Sequence, residues 1–500
     1  MSQASVIRLI KSLSKVEKRQ FKLATKKQAG SKEYLDLFDI IDSKAVIDTV
    51  TVRKKFRELY PDASLDNTAR YLLKVLIDSL IQSKVKEDTT FHLLHGLMRT
   101  RLLYERSLPD ESLKELKKLQ VLAASSQNDY LQYLTYRHQL DYISSNDFNQ
   151  VSEQRLTEMQ LQSREVLKGI RNIHEHHSLY ELLKYRLIHF GKILSEEKKR
   201  KLNDLILSEM ALVTSRSRSS YQSRKLHLLF QSYFFTDIGD YKSAVKTFLE
   251  LNRLFEQHSN LWGHPPVDYL SALDGILDSL RTIGYYDDIS FYLEKMKQLD
   301  NASYPEYFRF MVKKSELIYR ISQLTGRKDF RGAVAYIETL DPSELRAYGQ
   351  VDNEKQTELM LYMGLAYFGL NRFKMAQKHI NKIILMRKPN YQSVVYRASL
   401  LLNILIDYET NNHDYMEYEI RSYKRVFPPA VNGLKIEKLV FKTIQNHPHL
   451  QSPQKAQIFW KKIEPVMLVI EKDKFENQLH KYFDFLGWVR TKYGKGLVQC

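Results

Sequence analysis

Cysteine is almost absent. Cys500 stands alone in 500 residues, so no disulfide forms within the chain, and the composition fits a reducing compartment. Glycine and proline are sparse, at 17 and 12, which leaves few breakers and suits long helices joined by short turns. No apolar run is long enough to span a membrane; the best, 399–406, is bounded by Arg397 and Asp407. Near the start, Arg8 and Lys11 interrupt the apolar stretch 6–13, so no signal peptide is expected and the cytoplasm is the expected location. Catalytic signatures are missing as well. There is no Gly-x-x-x-x-Gly-Lys-Ser/Thr phosphate loop, no Gly-x-Gly-x-x-Gly, no Gly-x-Ser-x-Gly elbow and no cysteine pair for zinc. His174-Glu175-His176-His177 is metal-like, but a third ligand at useful spacing is missing, and it reads as a solvated helix end. The expectation is a non-enzymatic protein with no cofactor and no metal.

What is present is apolar material, tyrosine and positive charge. Hydrophobic residues make up 43% of the chain, and there are 32 tyrosines, whose hydroxyls can reach water from a helix interface. The 77 basic and 59 acidic residues give a net charge of +18. That charge is spread along the chain: segment 1–90 has 18 basic and 12 acidic residues, and segment 426–500 has 12 and 6. The sharpest patch is Arg216 and Arg218, then Arg224 and Lys225, within a stretch from Met210 to Thr236 that contains no acid. It reads either as a loop between helices or as an anion site.

A short signature recurs five times. It reads Gly239-Asp240-Tyr241-x-x-Ala244, Gly284-Tyr285-Tyr286-x-x-Ile289, Lys328-Asp329-Phe330-x-x-Ala333, Asn371-Arg372-Phe373-x-x-Ala376 and His413-Asp414-Tyr415-x-x-Tyr418. The aromatic steps are 45, 44, 43 and 42 residues, the mark of one helix pair stacked repeatedly. The first place turns the chain, which suits Gly or Asn in a left-handed conformation; Lys328 and His413 do not fit. Asp at the second place can cap the following helix. The aromatic and the small residue three places later pack between helices, and Phe248, Leu293, Ile337 and Ile380 continue the stripe.

The copy Met360-x-x-Met363-Gly364-x-x-Tyr367-x-x-x-Asn371-x-Phe373-x-x-Ala376, closed by Pro389, resembles the tetratricopeptide (TPR) repeat. Phe235, Gly239, Tyr241, Ala244 and Phe248 carry a weaker likeness, and the fifth copy the weakest. The N-terminal stretch from Leu9 to Lys22 is similar to a helical protein family of the Bacteroidota, which implies no activity. The fold expected is all-α, an α-α superhelix of about 20–24 helices. Its parts are an N-terminal helical cap (1–90), degenerate helical repeats (91–215), TPR-like repeats (216–427) and a C-terminal helical cap (428–500). Helices are expected at 32–42, 52–60, 65–86, 91–107, 110–124, 128–144, 150–173, 179–194 and 195–213.

The TPR resemblance implies that the first helix of each pair lines a concave groove. Carried over position by position, it marks Tyr233, Asp237, Asp274, Asp278, Arg281, Ser322, Glu358, Leu365, Phe368, Asn403 and Asp407 among 25 groove positions. Those 25 hold five acids and one base, so a mildly acidic groove inside a basic surface is expected. Such a groove favours a peptide or helix with Lys or Arg beside apolar residues. The functional expectation is therefore a protein-interaction scaffold. The alternative is a nucleic-acid-associated regulator using the basic exterior.

Overall fold

In the computed structural model the described residues are 3–25, 32–43, 49–190, 193–214, 220–343, 345, 353–385, 393–428, 433–446 and 453–493. Among them are 25 α-helices, one 3-10 turn and no strand. The head comprises α1 (Gln3–Ser12), α2 (Lys15–Thr25), α3 (Glu33–Asp42), α4 (Thr49–Leu59) and α5 (Leu65–Glu87). An arm follows: α6 (Thr89–Glu105), α7 (Pro109–Ser125), α8 (Asp129–Ser145), α9 (Glu153–Phe190), α10 (Glu196–Arg200) and α11 (Asn203–Thr214). The signature pairs are α12 (Tyr221–Asp237) with α13 (Tyr241–Gln257), α14 (Val267–Ile283) with α15 (Tyr286–Lys297), and α16 (Glu306–Gly326) with α17 (Phe330–Glu338). Two more pairs are α18 (Asn353–Gly369) with α19 (Phe373–Leu385), and α20 (Val394–Glu409) with α21 (His413–Val426). The C-terminal end holds α22 (Lys435–Asn446), α23 (Pro453–Lys472), α24 (Asn477–His480) and α25 (Phe485–Tyr493).

Local chemistry explains the starts. Ser14 and Glu17 form a reciprocal cap on α2: Ser14 N donates to the Glu17 carboxylate at 2.7 Å, and Glu17 N donates to Ser14 Oγ at 3.2 Å. Asp240 and Asp329 cap α13 and α17 by accepting from Ser243 N and Gly332 N. Behind each cap runs an apolar face. On α13 that face is Tyr241, Ala244, Phe248, Leu251 and Phe255, all buried.

Helices pack chiefly on their neighbours in the chain, and the apolar cores follow one another in sequence order: around Phe38 in the head, Leu119 in the arm, Phe248 in the first two pairs, and Ala376 to Val489 at the far end. A chain of local cores is what a stacked superhelix requires. The molecule is an all-α superhelix of consecutive helix pairs.

Three expectations are corrected. The separate helices 150–173 and 179–194 are one, α9, which is 38 residues long and packs on α8, α11 and α12; the expected helix 195–213 is split into α10 and α11. Lys328 does take the left-handed turn, with φ +61°, beside Gly239 at +76°, Gly284 at +82° and Asn371 at +59°. The fifth copy is read two residues late. Its left-handed residue is Asn411, at +56°, Asn412 precedes α21, and Met416 is buried in the small-residue place, whereas Tyr415 and Tyr418 are exposed.

Candidate functional site

The face of α14 carries Ser271, Asp274, Asp278 and Arg281 at helical spacing, toward Tyr233 and Thr236 of α12, Ser315 of α16, and Lys355 and Glu358 of α18. Two adjoining cavities of about 210 and 180 Å³ lie there, sharing Thr236, Asp274, Asp278 and Lys355. Of the sequence-predicted groove positions, Tyr233, Asp274, Asp278, Arg281 and Glu358 are brought together on these cavities.

A buried ion network forms their floor. The Arg281 guanidinium pairs with Asp278, with Nε at 3.0 Å, and with Glu358. It lies 5.0 and 5.1 Å from the ring centres of Tyr319 and Tyr362. Lys355 bridges Asp274 at 2.8 Å and Glu358 at 3.5 Å, and the Tyr319 hydroxyl donates to the Asp274 carbonyl at 2.9 Å. Burial alone would raise the Asp278 carboxyl, but Lys481 and Arg281 outweigh it and hold it far below the usual carboxylate range. Burial opposes ionisation of Glu358 too, and Arg281 and Lys355 reverse that. Arg281 Nη1 and the Tyr362 hydroxyl are buried without a hydrogen-bond partner among the described residues.

The expected acidic character is corrected. Lys314 and Lys355 line the cavities from positions outside the 25, and Lys481 comes from the C-terminal end. Each of Asp274, Asp278 and Glu358 has a cation against it, so the floor is close to neutral.

The C-terminal segment 474–492 packs against α12, α14, α18 and α20, which the sequence reading missed. Gln478 Nε2 donates to the carbonyls of Ile193 at 2.8 Å and Asp237 at 2.6 Å. Lys474 pairs with Asp240 at 2.7 Å, and Lys481 with Asp278 at 3.1 Å. Tyr482 approaches Tyr362, and Phe483 meets Phe368 edge-on at 5.6 Å. Trp488 Nε1 and Lys492 both donate to the Glu409 carboxylate, at 2.8 and 2.7 Å.

The remaining predicted positions separate. Asp237 is buried and offers its carbonyl to Gln478; Phe368 is covered by Phe483; Ser322 and Leu365 are buried in the stack. Asn403 and Asp407 are displaced by the two-residue register error. They are buried, Asp407 lies near Glu419 of α21, and Tyr408 and Glu409 meet the C-terminal segment instead. In the basic patch, Arg216 and Arg218 lie outside the described residues, Arg224 is exposed, and Lys225 pairs with Asp268 at 2.8 Å. The His174–His177 cluster lies inside α9 rather than at a helix end. His176 is buried near His227, which bonds to Glu209, and burial lowers its pKa. Among the described residues no group of three or more His, Cys, Asp or Glu is placed to hold a metal, and no helix is long and apolar enough to cross a membrane.

No protein-family model matches the chain, and no curated protein is significantly similar to it.

Proposed function

We propose that this chain is a non-enzymatic, TPR-like interaction scaffold that holds a basic, aromatic-bearing helix or peptide against its inner helices. One observation carries this reading. The segment that lies on the inner surface, 474–492, puts Lys481 on Asp278, Phe483 on Phe368, and Trp488 with Lys492 on Glu409. Cations and aromatic rings are thus the chemistry that the chain's own end brings to these helices. The cavity beside that segment is walled by Tyr233, Leu270 and Met311, with Lys314 on its lining and Asp274 paired to Lys355, so it offers a partner room for an aromatic or apolar side chain.

The test is affinity purification of the full chain from its native host, identifying protein and nucleic acid together. Ser271→Arg puts bulk and positive charge at the wall of the open cavity and disturbs little else, since the Ser271 hydroxyl bonds only within its own helix, to the Val267 carbonyl. The expected result is a protein partner that survives nuclease and is lost with Ser271→Arg. Capture that is abolished by nuclease and indifferent to Ser271→Arg would overturn the scaffold reading in favour of the nucleic-acid one. An Asp278→Lys variant is unsuitable, because Asp278 is locked between Arg281 and Lys481 and its loss breaks the network.

A further inference from the structure

We infer that the contact between the C-terminal end and the first signature repeat is a re-openable polar latch, whose receiving surface on that repeat binds a Lys- and Gln-bearing segment. The inference stands on the geometry of this contact and does not depend on the function proposed above.

The two faces of the segment differ. Lys474, Gln478 and Lys481 fall at i, i+4 and i+7, one side of a helical stretch, and all three reach the first two repeats. Their receivers are the Ile193 and Asp237 carbonyls and the Asp240 and Asp278 carboxylates, and the Lys481 ammonium also lies 5.5 Å from the Tyr241 ring centre. The apolar residues go the other way. Leu479, Phe485, Leu486 and Val489 are buried in the same core as α20, α22 and α23. Opening the latch therefore leaves most of that apolar burial in place and separates one exposed ion pair, Lys474–Asp240, together with the buried Gln478 and Lys481 links, whose polar groups water takes up once they part. Phe475 adds an apolar contact, packing on the cluster around Leu183 and Phe230. The receiving surface is shaped for this contact. The Lys474 carbonyl oxygen sits 2.0 Å from where a side chain on Gly239 would begin, so the turn of the first repeat admits the segment only as glycine.

The latch joins residues about 200–285 positions apart and walls one of the two cavities. Helical stacks flex by small rotations at each pair, so a contact between distant pairs sets how far the superhelix is wound.

The experiment uses the full chain and a labelled synthetic peptide of residues 471–484. The wild type, Lys474→Gln and Lys474→Gln/Gln478→Ala are compared; these substitutions weaken the latch and leave the receiving surface intact. The expected result is loss of hydrogen-exchange protection at 237–241 and 477–482. Peptide affinity for the double variant should be about tenfold or more above that for the wild type, and adding Asp240→Asn should reverse the gain. Asn keeps the helix cap at that position while removing the charge that holds Lys474. Asp329→Asn, the corresponding cap of the third repeat, should change nothing. Unchanged protection and unchanged peptide affinity in a folded double variant would overturn the latch. If the double variant loses cooperative unfolding, Lys474→Gln alone at low salt, where the peptide's own lysine still pairs with Asp240, gives the same reading; a peptide affinity equal to the wild type's would then overturn it.

Discussion

A methyl group at Gly239 would meet two obstacles. The backbone there has φ +76°, and the Lys474 carbonyl occupies the space where a Cβ would be. Gly284 has the same kind of backbone, φ +82°, with open space around it. Gly284→Ala should therefore cost about 1–2 kcal/mol from the left-handed conformation alone. Gly239→Ala should cost about 1–3 kcal/mol more, because the C-terminal segment has to shift. Denaturant melts of the two variants separate the terms, and equal losses would show that the close approach carries no energy. Asp407 gives a second test. Burial first, then Glu419, raises its pKa to about 6 from 3.8. A raised carboxyl pKa means the folded chain holds the proton more tightly than the unfolded one. Its contribution is present below about pH 4 and is lost as pH rises through 6. Asp407→Asn should thus stabilise the protein at pH 7.5 by about 1–3 kcal/mol and do little at pH 4. Thermal melts at both pH values check the sign, and a gain at pH 4 only would contradict it.

At the scale of elements, the turn and the buried pair are the instructive cases. Lys328 sits at φ +61° between α16 and α17 where the sequence offered no glycine, so the repeat geometry overrides the residue's own preference. Lys328→Gly should raise stability by about 1 kcal/mol, read as a higher denaturation midpoint. In the fifth pair, Arg397 of α20 holds Glu437 of α22, with Nη2 to Oε2 at 2.7 Å, and the Tyr423 hydroxyl of α21 donates to the same carboxylate. Leu434 N adds a third link at 3.0 Å. Three helices are pinned by one buried acid. Arg397→Met should cost about 3–5 kcal/mol, because Glu437 is left charged without its cation. Adding Glu437→Leu should recover part of that loss, which a double-mutant cycle measures.

For the whole molecule, serial cores mean that damage spreads by nearest neighbours. Removing residues 473–500 strips Leu479, Phe485 and Val489 from the core that also contains Ala376, Leu401 and Ile444. Hydrogen exchange should then lose protection across 353–446 and keep it across 3–145, whose cores around Phe38 and Leu119 are separate. Uniform loss along the chain would mean that the head and the far end fold as one cooperative unit.

The helix pairs were legible because their causes are local. The aromatic at 241, 286, 330 and 373 and the small or aliphatic residue three places later report a helix–helix contact within one repeat. The fifth pair was misread because Tyr415 and Tyr418 mimic the signature while Asn411, Asn412 and Met416 fill its places; backbone sign and burial, which a single sequence does not display, decide between them. The positions marked on α14 came from the TPR resemblance, and Asp274, Asp278 and Arg281 do line one cavity. Its charge was not legible. Lys355 lies at a position outside the carried-over set, and Lys481 arrives from about 200 residues away. A basic-aromatic run such as Lys481-Tyr482-Phe483 was visible, but nothing local says which surface it covers. The sequence by itself therefore determined the helices and their pairing, since those follow from spacing within some 45 residues. Only the tertiary structure decided that the chain's own end lies against its first repeat, because that contact depends on the small rotations accumulated over every pair between Gly239 and Lys474.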